Sequence, residues 1–230
     1  MARSICIPVL SGHRCGSSAV AGVLFHLGVH MGPVLLGGSR WNPRGHFEDK
    51  AFVDLHKRIV GDWRAPIVDE RPYETQYRAL VQRRELRPLW GVKDPRLAFT
   101  FPFLIRHARS EIRAIRVHRD PYDIVASMTA RGEQASNPDI AVGERGGEIA
   151  WAYESKLIAI EGRWPGPMLH VQFEELTTDP AGTVEMIADY VGVPCTEEAI
   201  AFVHPELRHN WRGHERRTGD VCTAELQAIG

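Results

Sequence analysis

The chain has 230 residues, 43% of them hydrophobic, and a formal net charge of −1 at pH 7. This length and apolar content suffice for one hydrophobic core, so we expect a single domain over residues 1–230. The sequence has no apolar run of about 18 residues and no signal-peptide pattern at its start, which predicts a soluble, cytoplasmic protein with no membrane partner. The charges are spread along the chain, and this pattern does not favour nucleic acid as a partner.

The cysteines and histidines are not spaced as metal ligands. The four cysteines form no C-x-x-C pair, and the eleven histidines form no H-E-x-x-H motif. This spacing argues against a disulfide framework and against a zinc site. We therefore expect no metal.

A glycine-rich loop near the N-terminus is the first candidate site. A β-prone run from Ile5 to Val9 leads into residues 11–18, SGHRCGSS, and apolar residues then recur at helical spacing as far as Leu27. Two glycines let the backbone turn tightly, and the following helix presents free N–H groups to the same space. This order of strand, loop and helix predicts a bound phosphate, although a generic strand-to-helix turn would give the same pattern.

The spacing within this loop does not fit a nucleotide triphosphate. Three residues separate Gly12 from Gly16, and Ser17 stands where the ATP and GTP motif has lysine. The loop instead resembles the 5′-phosphosulfate loop of sulfotransferases that use 3′-phosphoadenosine 5′-phosphosulfate (PAPS), from which it departs at Cys15 and Ser17. The resemblance implies that the donor is bound by residues 12–18, which are Gly12, His13, Arg14, Cys15, Gly16, Ser17 and Ser18.

A second segment, residues 42–49 (NPRGHFED), resembles the one that follows this loop in many bacterial sulfotransferases. The resemblance implies that Glu48 is the base that takes the proton of the acceptor. His46 is an alternative base, because residues 46 and 48 share a face of an extended segment and histidine titrates near neutrality. A third interpretation makes Glu48 an ordinary loop carboxylate.

A third segment, Trp90 to Arg96, has the pattern of a short buried strand that ends at Asp94-Pro95. Ligands of open α/β sheets bind at the carboxyl ends of the strands. Lys-Asp-Pro occurs at a comparable place in sulfotransferases, and the resemblance implies that Lys93 acts with Arg14 on the leaving group. The alternative is that Lys93 pairs with Asp94 at the end of the strand.

The fourth segment runs from Ile112 to Met128. A buried strand is followed by Asp120-Pro121, an N-cap and a first-position proline that start a helix. The segment resembles the family's 3′-phosphate motif, R-[DN]-P-x-[DE]-x-x-x-S, at every specified position. This implies that Arg119 and Ser127 hold the 3′-phosphate, whereas a capped helix without a ligand is the alternative.

The remaining segments are predicted to form scaffold and, near the C-terminus, to contact the nucleotide. A strand is predicted from Met168 to Phe173, and Phe173 to Pro180 and the helix that follows are interpreted as scaffold. Within His204 to Arg217, a partial likeness to a late nucleotide loop suggests contacts from Arg208, Arg212 and Arg216. A solvated basic face explains these arginines equally well.

Together, the segments predict an α/β domain with a mostly parallel, about five-stranded central sheet flanked by helices. The resemblance implies that this is the P-loop NTPase-like sulfotransferase fold. The resemblance implies transfer of the sulfonate of PAPS to a hydroxyl or amine of a small-molecule or glycan acceptor, leaving 3′-phosphoadenosine 5′-phosphate. The alternatives are an ATP-dependent kinase and a nucleotide-binding protein without turnover.

Overall fold

The computed structural model describes residues 3–39, 42–62, 65–134 and 145–204. The strands of the described residues are β1 (Ile5–Leu10), β2 (Leu89–Lys93), β3 (Glu111–Ile112), β4 (Ala114–His118) and β5 (Met168–Gln172). They form one central sheet in the order β2-β1-β4-β5, in which all pairings are parallel and β3 pairs with β1. The predicted five-stranded parallel sheet is confirmed.

Strands β3 and β4 lie on the same side of β1 and are separated only by Arg113. β3 pairs with Ile5 and Cys6 at the start of β1, and β4 pairs with Val9 and Leu10 at its end. The single strand predicted from Ile112 onward is thus an interrupted strand that runs along most of β1.

Helices cover both faces of the sheet. The helices of the described residues are α1 (Ser17–His26), α2 (Lys50–Val60), α3 (Glu74–Arg84), α4 (Leu97–His107), α5 (Pro121–Gln134), α6 (Arg145–Glu161), α7 (Phe173–Thr178), α8 (Pro180–Val191) and α9 (Glu197–Phe202), with a 3-10 turn at Arg71–Tyr73. The helices predicted after the glycine loop, after Asp120 and after Pro180 are present as α1, α5 and α8, whereas α4, α7 and α9 were not predicted. The apolar sequence of α4 contains Pro102, which obscures its helical pattern.

The core has two layers, one on each face of the sheet. Cys6 and Leu10 of β1 pack into the layer formed with α2, α3, α4 and α6. Ile7 and Val9 pack into the opposite layer, formed with α1 and α8. This division follows from the alternation of side chains along a strand. Within the described part of the chain, no helix has the length and apolarity needed to cross a membrane.

The parallel arrangement decides where the site lies. The segments that follow β1, β2 and β4 all leave the sheet at the same carboxyl edge. Helix α2 is fixed near this edge because the Asp49 carboxylate accepts a hydrogen bond from the Ala51 N–H at 3.0 Å and another from Arg84 Nε at 2.6 Å. The glycine loop, Lys93 and Arg119 are thereby brought together.

Replacing leucine by alanine at a buried position of α1 and at an exposed position elsewhere tests the packing of α1. Leu24 on α1 is 0% exposed and Leu86 is 82% exposed. We expect Leu24→Ala to lower the free energy of unfolding by about 2–5 kcal/mol, through lost burial and the cavity left behind. Leu86→Ala should change it by about 0.5 kcal/mol or less. Urea denaturation measures both, and equal losses would contradict the placement of α1 in the core.

Candidate active site

A cleft opens at the carboxyl edge of the sheet, between the glycine loop, the start of α2 and the ends of β2 and β4. Its lining carries three cations against one carboxylate, in a chain whose formal net charge is −1. The cleft therefore favours an anionic ligand. Its lining residues are His13, Arg14, Gly16, Ser17, Ser18, Ala19, Asn42, His46, Glu48, Lys93, Pro95, Arg119 and Phe173.

Most of the side chains predicted from sequence meet in this cleft, although they come from four separate segments. Gly12, Cys15 and Ser127 are not part of its lining, and Arg208, Arg212 and Arg216 lie outside the described residues. Sequence reasoning did not select Ala19, Asn42 and Pro95, and it treated Phe173 as scaffold. Asn42 lies in the selected segment 42–49, and Pro95 lies in the selected segment Trp90 to Arg96. Their proximity in sequence to Glu48 and Lys93 was the signal that could have identified them.

The glycine loop has an unusual backbone. Arg14 has φ of 64° and Gly16 has φ of 83°, both in the left-handed region. A Cβ at Gly16 would lie 2.1 Å from the Phe173 ring, so both conformation and space require glycine there. Helix α1 begins at the next residue; its first three residues line the cleft, and its first turn carries no acidic side chain.

Cys15 is a core residue. Its side chain is 2% exposed, and its Sγ lies 3.6 Å from the His13 carbonyl, to which the thiol donates. Burial raises the pKa of the Cys15 thiol to about 12. Gly12 and Cys15 line a second cavity behind the loop, with residues of α5 and α6. Any contact of Cys15 with a ligand in the cleft would therefore involve its backbone.

Two polar contacts in the cleft join Lys93 to two other segments. Lys93 Nζ donates to Glu48 Oε1 at 2.5 Å and to Ser18 Oγ at 3.1 Å. Lys93 is 3% exposed and Glu48 is 8% exposed. The alternative that Lys93 pairs with Asp94 is wrong, because its ionic partner is Glu48. The third interpretation of Glu48, an ordinary loop carboxylate, is also wrong, since the carboxylate is buried and paired.

His46 and Glu48 both line the cleft, but not by the predicted geometry. Phe47 between them has φ of 53°, so the segment is not extended at this point. Nε2 of His46 lies 3.2 Å from Ser39 Oγ, within hydrogen-bond distance. Glu48, not His46, contacts the Lys93 ammonium.

Arg119 follows β4 and reaches back to the glycine loop. Its Nη1 donates to the Arg14 carbonyl at 2.9 Å, and its guanidinium carbon lies 4.9 Å from the centre of the Phe173 ring. Phe173 packs in the core, as its interpretation as scaffold predicts, and its ring also lines the cleft against Arg119. Nε of Arg119 is buried and finds no hydrogen-bond partner among the described residues. A buried donor in this state is an available contact for an anion.

Ser127 lies beneath the cleft. Its side chain is 0% exposed, and its hydroxyl accepts a hydrogen bond from Arg14 Nε at 2.8 Å. The two phosphate motifs of the sequence are therefore in direct contact. Asp120 caps α5 as predicted, since its carboxylate accepts from the Tyr122 N–H at 2.8 Å. Asp123 also lies 3.9 Å from Arg119, which makes it a distant ionic neighbour of the site.

A buried network supports the end of β2. Asp94 Oδ2 lies 3.0 Å from Nδ1 of His56 on α2, and Asp94 Oδ1 accepts from the Arg96 backbone N–H at 2.9 Å. Burial alone would raise the pKa of Asp94, but the hydrogen bond and charge of His56, with Arg96, lower this pKa to about 2. His56 also lies 3.3 Å from the Tyr77 hydroxyl. The network ties α2 to the residue next to Lys93.

The comparison with protein families identifies the class. The model of the sulfotransferase family matches residues 46–198, about two thirds of the chain. The chain therefore belongs to the sulfotransferase family. The matched range contains Glu48, Lys93, Arg119 and Ser127, whereas the glycine loop precedes it. No curated protein matches the chain.

Solved structures show the same fold. The sulfotransferase domain of the olefin synthase of Synechococcus PCC 7002 is 21% identical, with a TM-score of 0.56 over 98% of this chain and 91% of that one. Sulfotransferase STF1 of Mycobacterium tuberculosis H37Rv is 16% identical, with a TM-score of 0.54 over 88% and 71%. Sulfotransferase STF9 of Mycobacterium avium is 18% identical, with a TM-score of 0.51 over 94% and 70%. The predicted sulfotransferase fold is confirmed.

Selective alkylation tests the orientation of the loop. Because alkylation needs a thiolate and a pKa of about 12 leaves about one thiol in ten thousand ionised at pH 8, we expect native Cys15 to resist iodoacetamide. The exposed Cys195 serves as the internal control and should be modified. Peptide mass spectrometry before and after denaturation in urea measures both sites. Equal modification of the two cysteines in the native protein would place the Cys15 thiol in the cleft instead of the core.

Proposed function

We propose that this chain is a PAPS-dependent sulfotransferase that transfers a sulfonate to a hydroxyl or amine of a small-molecule or glycan acceptor. The observation that carries the proposal is the contact of Lys93 with Glu48 and Ser18, which joins a general base to a cation beside the glycine loop. We also propose that residues 1–230 form one sulfotransferase domain. A fold comparison that spans 98% of the chain supports this extent.

The charges and donors of the cleft fit a nucleotide with phosphate groups at two positions. The first turn of α1 and the Arg14 side chain would hold the 5′-phosphosulfate, together with Ser17 and Ser18. Arg119, whose buried Nε lacks a partner among the described residues, would hold the 3′-phosphate. Ser127, which is 0% exposed and accepts a hydrogen bond from Arg14 Nε, would act from beneath the cleft by holding Arg14 in place. When bound, PAPS supplies the sulfonate, and its bisphosphate moiety is the leaving group.

Glu48 performs the base step in this mechanism. As the acceptor oxygen or nitrogen attacks sulfur, its proton passes to the Glu48 carboxylate, and the protonated glutamate later releases the proton to solvent. The Glu48 carboxylate is 8% exposed, enough to reach solvent at the cleft, and is held in one place by Lys93. Because His46 also lines the cleft, it remains the alternative base.

Lys93 is placed to stabilise negative charge on the leaving group. An ammonium has three hydrogen-bond donors, and among the described residues Lys93 uses them on Glu48 and Ser18. A third N–H would be available to the leaving group of bound PAPS. Negative charge that develops on this group would be stabilised by an ammonium that is already in position. Lys93, which contacts Glu48, would thus act on the leaving group while Glu48 takes the proton of the acceptor.

The two alternatives make different use of the same cleft. A kinase would bind ATP with Mg²⁺, but Ser17 stands where that motif has its lysine. A protein that only binds nucleotide would have no need for the buried contact of Glu48 with Lys93. The arrangement of Glu48 and Lys93 therefore favours transfer, and the two experiments below separate the three possibilities.

The first experiment measures donor binding. Arg119→Ala should weaken the binding of 3′-phosphoadenosine 5′-phosphate by about 10- to 100-fold, because charge-assisted hydrogen bonds are lost. Arg71→Ala removes the same charge from a side chain that is 89% exposed and should leave affinity unchanged. Isothermal titration calorimetry measures both variants, with adenosine 5′-monophosphate as the ligand control. Binding of ADP with Mg²⁺ but not of the bisphosphate would contradict the proposal and favour an ATP-dependent kinase.

The second experiment separates chemistry from binding. Glu48→Gln keeps an amide oxygen for Lys93 but removes the base, so kcat should fall by about 10²–10⁴-fold while bisphosphate affinity stays within a few-fold. Glu198→Gln, a change at a side chain that is 76% exposed, is the control. Transfer of labelled sulfonate to a panel of polar acceptors provides the readout. Full activity of Glu48→Gln would remove Glu48 as the base and direct attention to His46.

A further inference from the structure

Three potential metal ligands meet on the face of the sheet that α6 covers. Among the described residues, His118, Glu161 and His170 each offer one ligand atom, and these atoms lie within 4.8 Å of one another. His118 ends β4, His170 lies on β5, and Glu161 ends α6. The proposed sulfotransfer mechanism uses none of the three.

The strand register explains why the two imidazoles meet. In the parallel pairing of β4 with β5, Arg116 is opposite His170 and His118 is opposite Gln172. Residues two apart on a strand share a face, so His118 and His170 are diagonal neighbours on one side of the sheet. Their rings stack with centroids 5.1 Å apart, and His118 Nε2 lies 2.8 Å from His170 Nδ1. This contact places one ring nitrogen of each histidine directly beside the other.

The local charge favours a cation at this point. Arg116 is buried, and its guanidinium donates to Glu161 at 2.6 Å and also to Glu154. Two carboxylates around one guanidinium leave one negative charge beside the two imidazoles. Because Glu154 continues to pair with Arg116, the Glu161 carboxylate can turn its second oxygen toward an ion without leaving the guanidinium uncompensated.

We propose that His118, His170 and Glu161 form a binding site for a divalent transition metal such as Zn²⁺. Imidazole nitrogen with carboxylate oxygen is a ligand set of Zn²⁺, whereas Mg²⁺ prefers oxygen alone. On binding, the ring that donates the present hydrogen bond carries its N–H on the other nitrogen, so both imidazoles stay neutral and both lone pairs face the ion. Since His170 is exposed, water completes the coordination shell.

This ion has a structural consequence that is independent of sulfonate transfer. Coordination joins the ends of β4 and α6 to β5 through side chains, in addition to the backbone pairing of the two strands. Because only the folded chain brings the three ligands together, bound Zn²⁺ stabilises the native state. His118 also precedes Arg119, so the site lies next to the residue proposed for the 3′-phosphate.

Zinc affinity of untagged protein stripped with EDTA tests the proposal, measured by competition with a chromophoric chelator. We expect one equivalent of Zn²⁺ to bind, and His170→Ala to weaken this binding by at least about tenfold. Zn²⁺ should raise the melting temperature of the wild-type protein but not of His170→Ala, and Mg²⁺ should raise neither. Glu161→Gln, which keeps an amide oxygen for Arg116, should also weaken zinc binding. It is the variant to measure if His170→Ala does not fold.

The control is a surface histidine that belongs to no three-ligand group among the described residues. His26 lies 3.0 Å from the Glu198 carboxylate, so His26→Ala removes a histidine with one carboxylate neighbour and should leave zinc affinity unchanged. Wild-type affinity in both His170→Ala and Glu161→Gln would overturn the proposal, as would an equal loss in His26→Ala. Because the readout is zinc binding, neither result depends on whether the chain transfers sulfonate.

Discussion

The site depends on the pairing of a buried ammonium with a buried carboxylate. Lys93 is 3% exposed, and a charge at that depth is costly unless a partner of opposite charge compensates it. Glu48 is that partner, and Ser18 accepts a further hydrogen bond from the same ammonium. The three residues belong to the end of β2, the segment before α2 and the first turn of α1. The pairing therefore forms only when these elements are assembled, and it then holds them together.

Each member of this pair has an anchored neighbour in the chain. Next to Glu48, the Asp49 carboxylate caps α2 and accepts a hydrogen bond from Arg84 on α3 at 2.6 Å. Next to Lys93, the Asp94 carboxylate lies 3.0 Å from Nδ1 of His56 on α2. The same helix is thus fixed both at its start and at its middle. These contacts limit the freedom of the base and the cation, which supports the roles proposed for them in proton transfer and charge stabilisation.

Local patterns in the sequence predicted much of the fold and most of the lining of the cleft. The strand before the glycine loop, the buried strand at Lys93 and the capped helix after Asp120 each carry their signal within about ten residues, and all are present. Helix α4 was missed because Pro102 interrupts an apolar run that tertiary packing nevertheless holds as a helix. Phe173 was interpreted as scaffold because its contact with Arg119 links residues far apart in the chain, which no local pattern records.

The sequence by itself determined the order of the segments proposed to bind phosphate, the family they resemble and the residue types available for chemistry, because these depend on spacing along the chain. Tertiary structure decided the partners. It paired Lys93 with Glu48 instead of Asp94, turned the Cys15 thiol into the core, and brought His118 and His170 to adjacent strands. Such choices depend on register, burial and the direction of each side chain, and these quantities exist only after distant segments have packed together.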